Sequence, residues 1–282
     1  MNLKKRIIAR IDIKGPNVVK GINLEGLRVL GNPQYFSEIY YKAGADEIIY
    51  HDVVASLYQR KYLLDIISKT SQNCFIPLSV GGGVKNLKDI ETILKNGADK
   101  VYLNSAAITN PKIIDQASKV FGSSTIGISL EVISNDKQFS LMYNYGREKS
   151  SKNLFDWISE AQDRGAGELQ VTSINYEGRS EGMDLNLYNK IEKFIKVPMI
   201  YHGGVGSKEH ILKLINQKKI SGIVISSFFH YHEIKKKNYK FSLSDEGNFT
   251  FLQDNDFLKQ VKTNSIRDVK NFLKRKKVNI RC

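Results

Sequence analysis

The 282 residues carry 43 Lys and Arg against 29 Asp and Glu, a formal charge of +14, and 41% are hydrophobic, enough for one large α/β barrel or two smaller domains. No run approaches the ~18 apolar residues of a membrane span, and Cys74 and Cys282 lack the spacing of a disulfide framework or a zinc site. The N-terminal apolar run is too short for a signal peptide and lysine is spread along the whole chain, so a cytoplasmic protein with a solvated basic surface is expected, and nucleic acid is not an expected partner.

In chain order, apolar β-rich runs near 6–12, 47–52, 75–80 and 100–104 alternate with helical patterns near 33–43, 58–70, 87–96 and 111–120. The first run, "RIIARIDIK", delivers Asp12 at its end. The third is followed by the turn "GGGV" with Gly82 and Gly83, and the fourth by Asn104 and Ser105. A second set of runs, near 124–131, 168–173, 198–202 and 222–226, alternates with helices near 153–164, 185–195, 208–217 and 266–277. Its first run, "IGISLEVIS", delivers Glu131, its third leads into "HGGVGS" with Gly203 and Gly204, and its fourth ends at Ser226 and Ser227.

Shifting the chain by 121 residues lays "GADEIIYHDVVAS" over "GAGELQVTSINYE" and "IPLSVGGGVKNLKDI" over "VPMIYHGGVGSKEHI". Near the first strand the shift is 119, which makes Asp12 and Glu131 symmetry mates. Eight strand-helix units without a doubly wound break predict a single (β/α)8 TIM barrel with half-barrels of about 1–122 and 123–282, its chemistry at the C-terminal strand ends. Two segments depart from the rhythm: 132–150 alternates like a hairpin, and 233–262 separates the eighth strand from its helix.

Glycine lets a backbone close on an anion, and a following helix start favours negative charge. The two related turns, with Asn104, Ser105, Ser226 and Ser227 on neighbouring strands, therefore predict a mouth that holds two phosphates. Asp12 and Glu131 stand across it, placed for proton removal and donation at the two ends of a reacting unit. Arg6, Glu47, Lys100 and Glu168 open strands 1, 2, 4 and 6 and should form a ring of alternating charge on the opposite face, where charge ordinarily reads as stability.

The motifs "RIIARIDIK" with "VVKG", "GADEIIYHDVVAS", "IPLSVGGGV", "GADKVYLNSAAITNP", "GAGELQVTS", "VPMIYHGGVGS" and "SSFFHY" carry a family resemblance. Over residues 1–232 and again from about 264 to 281, the chain resembles the cyclase subunit of imidazole glycerol phosphate synthase. The resemblance implies a glutaminase subunit docked on the N-terminal face, with ammonia passing through the barrel. The ring Arg6, Glu47, Lys100 and Glu168 would be its entrance gate, and Asp99 a glutaminase contact.

The mouth departs from that family. Glu131 stands where the family has its second catalytic aspartate, "NYEGR" replaces Asp-Arg-Asp-Gly-Thr at 175–179, His202 replaces a serine and Arg10 a cysteine. A carboxylate displaced by about an ångström can cost about a hundredfold in rate, and Arg179 should add a cation to the mouth. A kept conduit with an altered chamber resembles the branch that works with a glutaminase and an ATP-dependent amidotransferase to form acetamidino groups on bacterial surface sugars. The acceptor is then a phosphorylated or nucleotide-linked small molecule. The sequence has no G-x-x-x-x-G-K-[ST] loop, and no metal or other cofactor is expected. The alternatives are the histidine-pathway cyclase, with Asp12 and Glu131 as its acid and base, and a non-catalytic tunnel scaffold. A sugar-phosphate isomerase is a third, weaker because it needs no ammonia gate.

Overall fold

The computed structural model describes residues 4–54, 61–135, 138–236 and 261–281. Eight parallel strands close a barrel in the order β1 (Arg6–Lys14), β4 (Glu47–Asp52), β5 (Leu78–Gly81), β6 (Lys100–Leu103), β7 (Ile126–Asn135), β10 (Glu168–Ser173), β11 (Met199–His202) and β12 (Ile220–Ile225), with β12 returning to β1. Helices α1 (Pro33–Lys42), α2 (Lys61–Ser71), α3 (Leu87–Lys95), α5 (Lys112–Phe121), α6 (Leu154–Asp163), α7 (Leu185–Ile191), α8 (Lys208–Ile215) and α10 (Ile266–Arg275) ring it. This is the expected (β/α)8 barrel.

Strand alternation splits the core in two. Odd residues of β1, such as Ile7 and Ile11, join Tyr50, Trp157 and Phe228 in the large layer between barrel and helices. The alternate positions point inward, where Ile8, Ile49, Tyr102, Ile200 and Val224 form a separate small cluster. Both faces of each strand are covered, which is why the strands read as nearly unbroken apolar runs. The last helix is fixed locally by a capping box between Ser265 and Asp268, and tied to the barrel by Lys270 Nζ to Asp46 Oδ1 at 2.6 Å.

The expected hairpin at 132–150 is present: β7 runs on past the barrel and pairs antiparallel with β8 (Gln138–Tyr143), which pairs with β9 (Glu148–Lys149). A second antiparallel arm, β2 (Asn17–Ile22) with β3 (Glu25–Gly31), extends β1 and had no counterpart among the predicted strands. Its Gly and Asn residues and its central Lys20 break the apolar signal, although Lys20 proves to be buried. Two short helices were also not predicted, α4 (Ser105–Thr109) after β6 and α9 (Ser227–Ile234) after β12. The insertion predicted at 233–262 lies mostly outside the described residues, as does the start of the helix expected at 58–70. No helix among the described residues is long and apolar enough to cross a membrane.

Candidate functional site

At the N-terminal face the four strand-entry charges meet. Arg6 Nη1 lies 2.7 Å from Glu47 Oε2, its other nitrogen bonds Glu168, and Lys100 Nζ lies 2.6 Å from Glu168 Oε2. Ser79 Oγ donates to Glu47 Oε1 at 2.6 Å and the Tyr102 hydroxyl to Glu168 Oε2 at 2.5 Å. Burial works to raise the Glu168 pKa but Arg6 and Lys100 outweigh it and hold it down, whereas burial raises Glu47. Asp99, at the same end, accepts the Leu78 backbone N-H at 2.8 Å.

At the C-terminal face the two predicted carboxylates are both buried, and their surroundings are opposite. Arg10 Nε donates to Asp12 Oδ1 at 2.7 Å, and Lys20, itself bonded to Glu177, lies 3.6 Å from Asp12 Oδ2. Burial opposes ionisation of Asp12, but Arg10 and Lys20 overcome it and hold its pKa below the ordinary carboxylate range. Glu131 accepts the Gly146 N-H at 2.8 Å, and burial pushes its pKa up to about 7. Asp12 is thus a fixed anion, and Glu131 can gain or lose a proton near neutrality.

Arg10 also approaches His202 Nδ1 at 3.4 Å, and burial keeps both His202 and His51, the latter pushed down to about 3, neutral. Arg179, expected to add a cation to the mouth, instead pairs with Glu181 at 3.1 Å and is half exposed. Lys20 and Glu177 lay inside quoted motifs, but nothing in their spacing announced that they would pair beneath Asp12. A lysine in the alternating run "NVVKGI" was the available sign.

The two Gly-rich turns are not equivalent. Gly82, Gly83, Asn104 and Ser105 line a cavity of about 390 Å³ that also reaches Glu131 and is roofed by Tyr143, Asn144 and Tyr145 of the hairpin. Gly82 has φ +94° and a side chain there would strike the Asp52 carbonyl, so glycine is required. The space enclosed by Gly203, Gly204, Ser226 and Ser227 is about 10 Å³, room for at most one water. Gly204 is pressed against residue 182, whose N-H donates to its carbonyl at 2.8 Å. The Ser226 hydroxyl is 3.2 Å from His230 Nε2, and His230 in turn bonds Tyr40. The structure therefore brings the residues of each Gly-rich turn together, with far more free space at the first than at the second.

A family model described as "Histidine biosynthesis protein" matches residues 6–235. The chain is 44% identical over 205 residues to a protein of Legionella pneumophila named imidazole glycerol phosphate synthase subunit HisF, covering 72% of this chain and 97% of the relative. Proteins of the same name from Natranaerobius thermophilus (37% over 245 residues, 87% and 98%) and Staphylococcus saprophyticus (39% over 249 residues, 87% and 98%) are similar along nearly their whole length.

Proposed function

The chain belongs to the histidine biosynthesis protein family, and from that premise we propose that it is the synthase barrel of a glutamine amidotransferase complex. It receives ammonia from a glutaminase subunit at its N-terminal face and supports transfer to an acceptor at the mouth. The observation that carries this reading is the linked set of ion pairs Glu47–Arg6–Glu168–Lys100. Replacing a buried ion network by apolar packing is often neutral or stabilising, so a ring kept on the stability face of a barrel points to use. The mouth supplies the rest: one carboxyl able to move a proton and one held as an anion.

For the acceptor, the asymmetry of the mouth favours a molecule anchored by one anionic group at Gly82, Gly83, Asn104 and Ser105. This suits the branch that forms acetamidino groups on surface sugars. An N-acetyl oxygen must be activated before ammonia displaces it, so an ATP-dependent amidotransferase would join the complex. A second reading is favoured by the names of the relatives: the imidazole glycerol phosphate synthase cyclase itself, with Glu131 replacing aspartate. A scaffold without chemistry fits less well, because an open cavity ends on a carboxyl that titrates near neutrality.

The test is reconstitution with a family glutaminase. Association at the N-terminal face is expected, with glutamine consumption coupled to transfer and uncoupled by Lys100→Ala. No association, or glutamine use indifferent to Lys100, would remove the reading.

A further inference from the structure

The hairpin that roofs the mouth also has an outer edge. β8 is paired with β7 from Gln138 to Met142, but β9 meets it only at Met142 and Tyr143. One further contact, the Ser150 N-H to the Leu141 carbonyl at 2.9 Å, ends the pairing, and residues 151–153 lead into α6. Among the described residues, no strand covers the outer edge of residues 138–140. Since Leu141 turns its carbonyl outward, the period of two turns the Phe139 N-H and carbonyl outward as well.

A cavity of about 560 Å³ lies along this edge. Phe139 and Phe155 make it apolar, with ring centres 6.3 Å apart and edge-on, and Phe194 packs 5.1 Å from Phe155. Lys149, Lys152 and Lys190 also line it, and no carboxylate does. Lys152 is already paired with Glu160 at 2.9 Å, but Lys149 and Lys190 have no acidic partner among the described residues. Exposed edges are often protected by charges on the edge strand itself. Here the edge reads "QFSL", without charge, and the lysines come from β9, the approach to α6, and α7. Protection does not account for that arrangement. Recognition of a strand does, because backbone hydrogen bonds supply affinity and alternate side-chain sites supply selectivity.

We propose that residues 138–140 take up an extended acidic segment of a partner protein as an added strand. Its apolar side chains would pack on Phe139 and Phe155, and its carboxylates would meet Lys149 and Lys190. The other end of the same hairpin, from Tyr143 to Tyr145, roofs the mouth, so the partner stands at the C-terminal face, away from Arg6 and Lys100. The inference does not depend on which reaction the mouth performs.

The test uses the full chain and a fluorescent peptide of alternating Glu and Val. Saturable binding is expected by anisotropy, with slowed amide exchange at Phe139. A peptide of the same sequence N-methylated at every residue keeps the charge but loses the edge hydrogen bonds, and should not bind. Combining Lys149→Glu with Lys190→Glu should weaken the unmethylated peptide by about tenfold or more, with the melting temperature unchanged. Absence of saturable binding overturns the proposal, as does unchanged exchange at Phe139 or a double variant that binds like the wild type. Equal binding of the N-methylated peptide also overturns it, leaving only adhesion by charge.

Discussion

The two sides of the mouth began from nearly the same sequence, and they have become different objects. On the first side a pair of positive-φ glycines faces a cavity of about 390 Å³; on the second, an equivalent pair 121 residues later faces about 10 Å³. The carboxylates diverge in the same way. The Glu131 pKa is pushed up to about 7 by burial, while Asp12 is held as an anion by two cations. A duplicated backbone sets where a site can be, and the side chains brought in by loops decide whether it stays open.

The largest expected effect separates the carboxylates by activity. Glu131→Gln should lower transfer in the assembled complex by about 10²- to 10⁴-fold, the contribution of a positioned acid or base, read as the steady-state rate with ammonium salt. Asp12→Asn should show instead as a loss of stability of about 3–5 kcal/mol in urea unfolding, because Arg10 is left buried without its anion. If Asp12→Asn abolished transfer while stability held, the comparison would be reversed.

The pH dependence of stability sharpens the same contrast, with opposite signs. Glu131 binds its proton more tightly folded than unfolded, so its contribution is full below its ordinary value of 4.5 and is lost as pH rises to about 7. Asp12 is depressed, so its contribution is present above its ordinary value of 3.8 and is lost as pH falls through the lower folded value. Glu131→Gln should therefore flatten the fall in stability between pH 4.5 and 7, measured by denaturant midpoints. A smaller effect distinguishes the turns. Gly82→Ala and Gly204→Ala should both lower the melting temperature, since each added side chain would strike a backbone carbonyl, but only Gly82→Ala should also weaken binding of inorganic phosphate by calorimetry. Smallest is Arg179→Thr, which breaks a surface pair and should change stability by less than about 1 kcal/mol.

Much of this was legible beforehand. The eight apolar runs, the repeat and the hairpin at 132–150 follow from periodicity, and the bottom ring from four charges at strand entries. The β2–β3 arm was not legible, because Lys20 interrupts its apolar pattern and its partner Glu177 lies over 150 residues away. Nor was the closing of the second turn. That depends on where the loop carrying residue 182 and the His230 side chain pack, and these are tertiary contacts that spacing does not encode.

The measurement that bears most directly on the one-sided mouth is ammonium-driven turnover of the formimino-carboxamide ribonucleotide bisphosphate by the purified chain. A substrate with a phosphate at each end needs both turns open. With so little room at the second turn, no imidazole glycerol phosphate should form, while inorganic phosphate still binds at the first. Formation of imidazole glycerol phosphate would contradict the asymmetry and make the chain a histidine-pathway cyclase with Glu131 at work in place of aspartate.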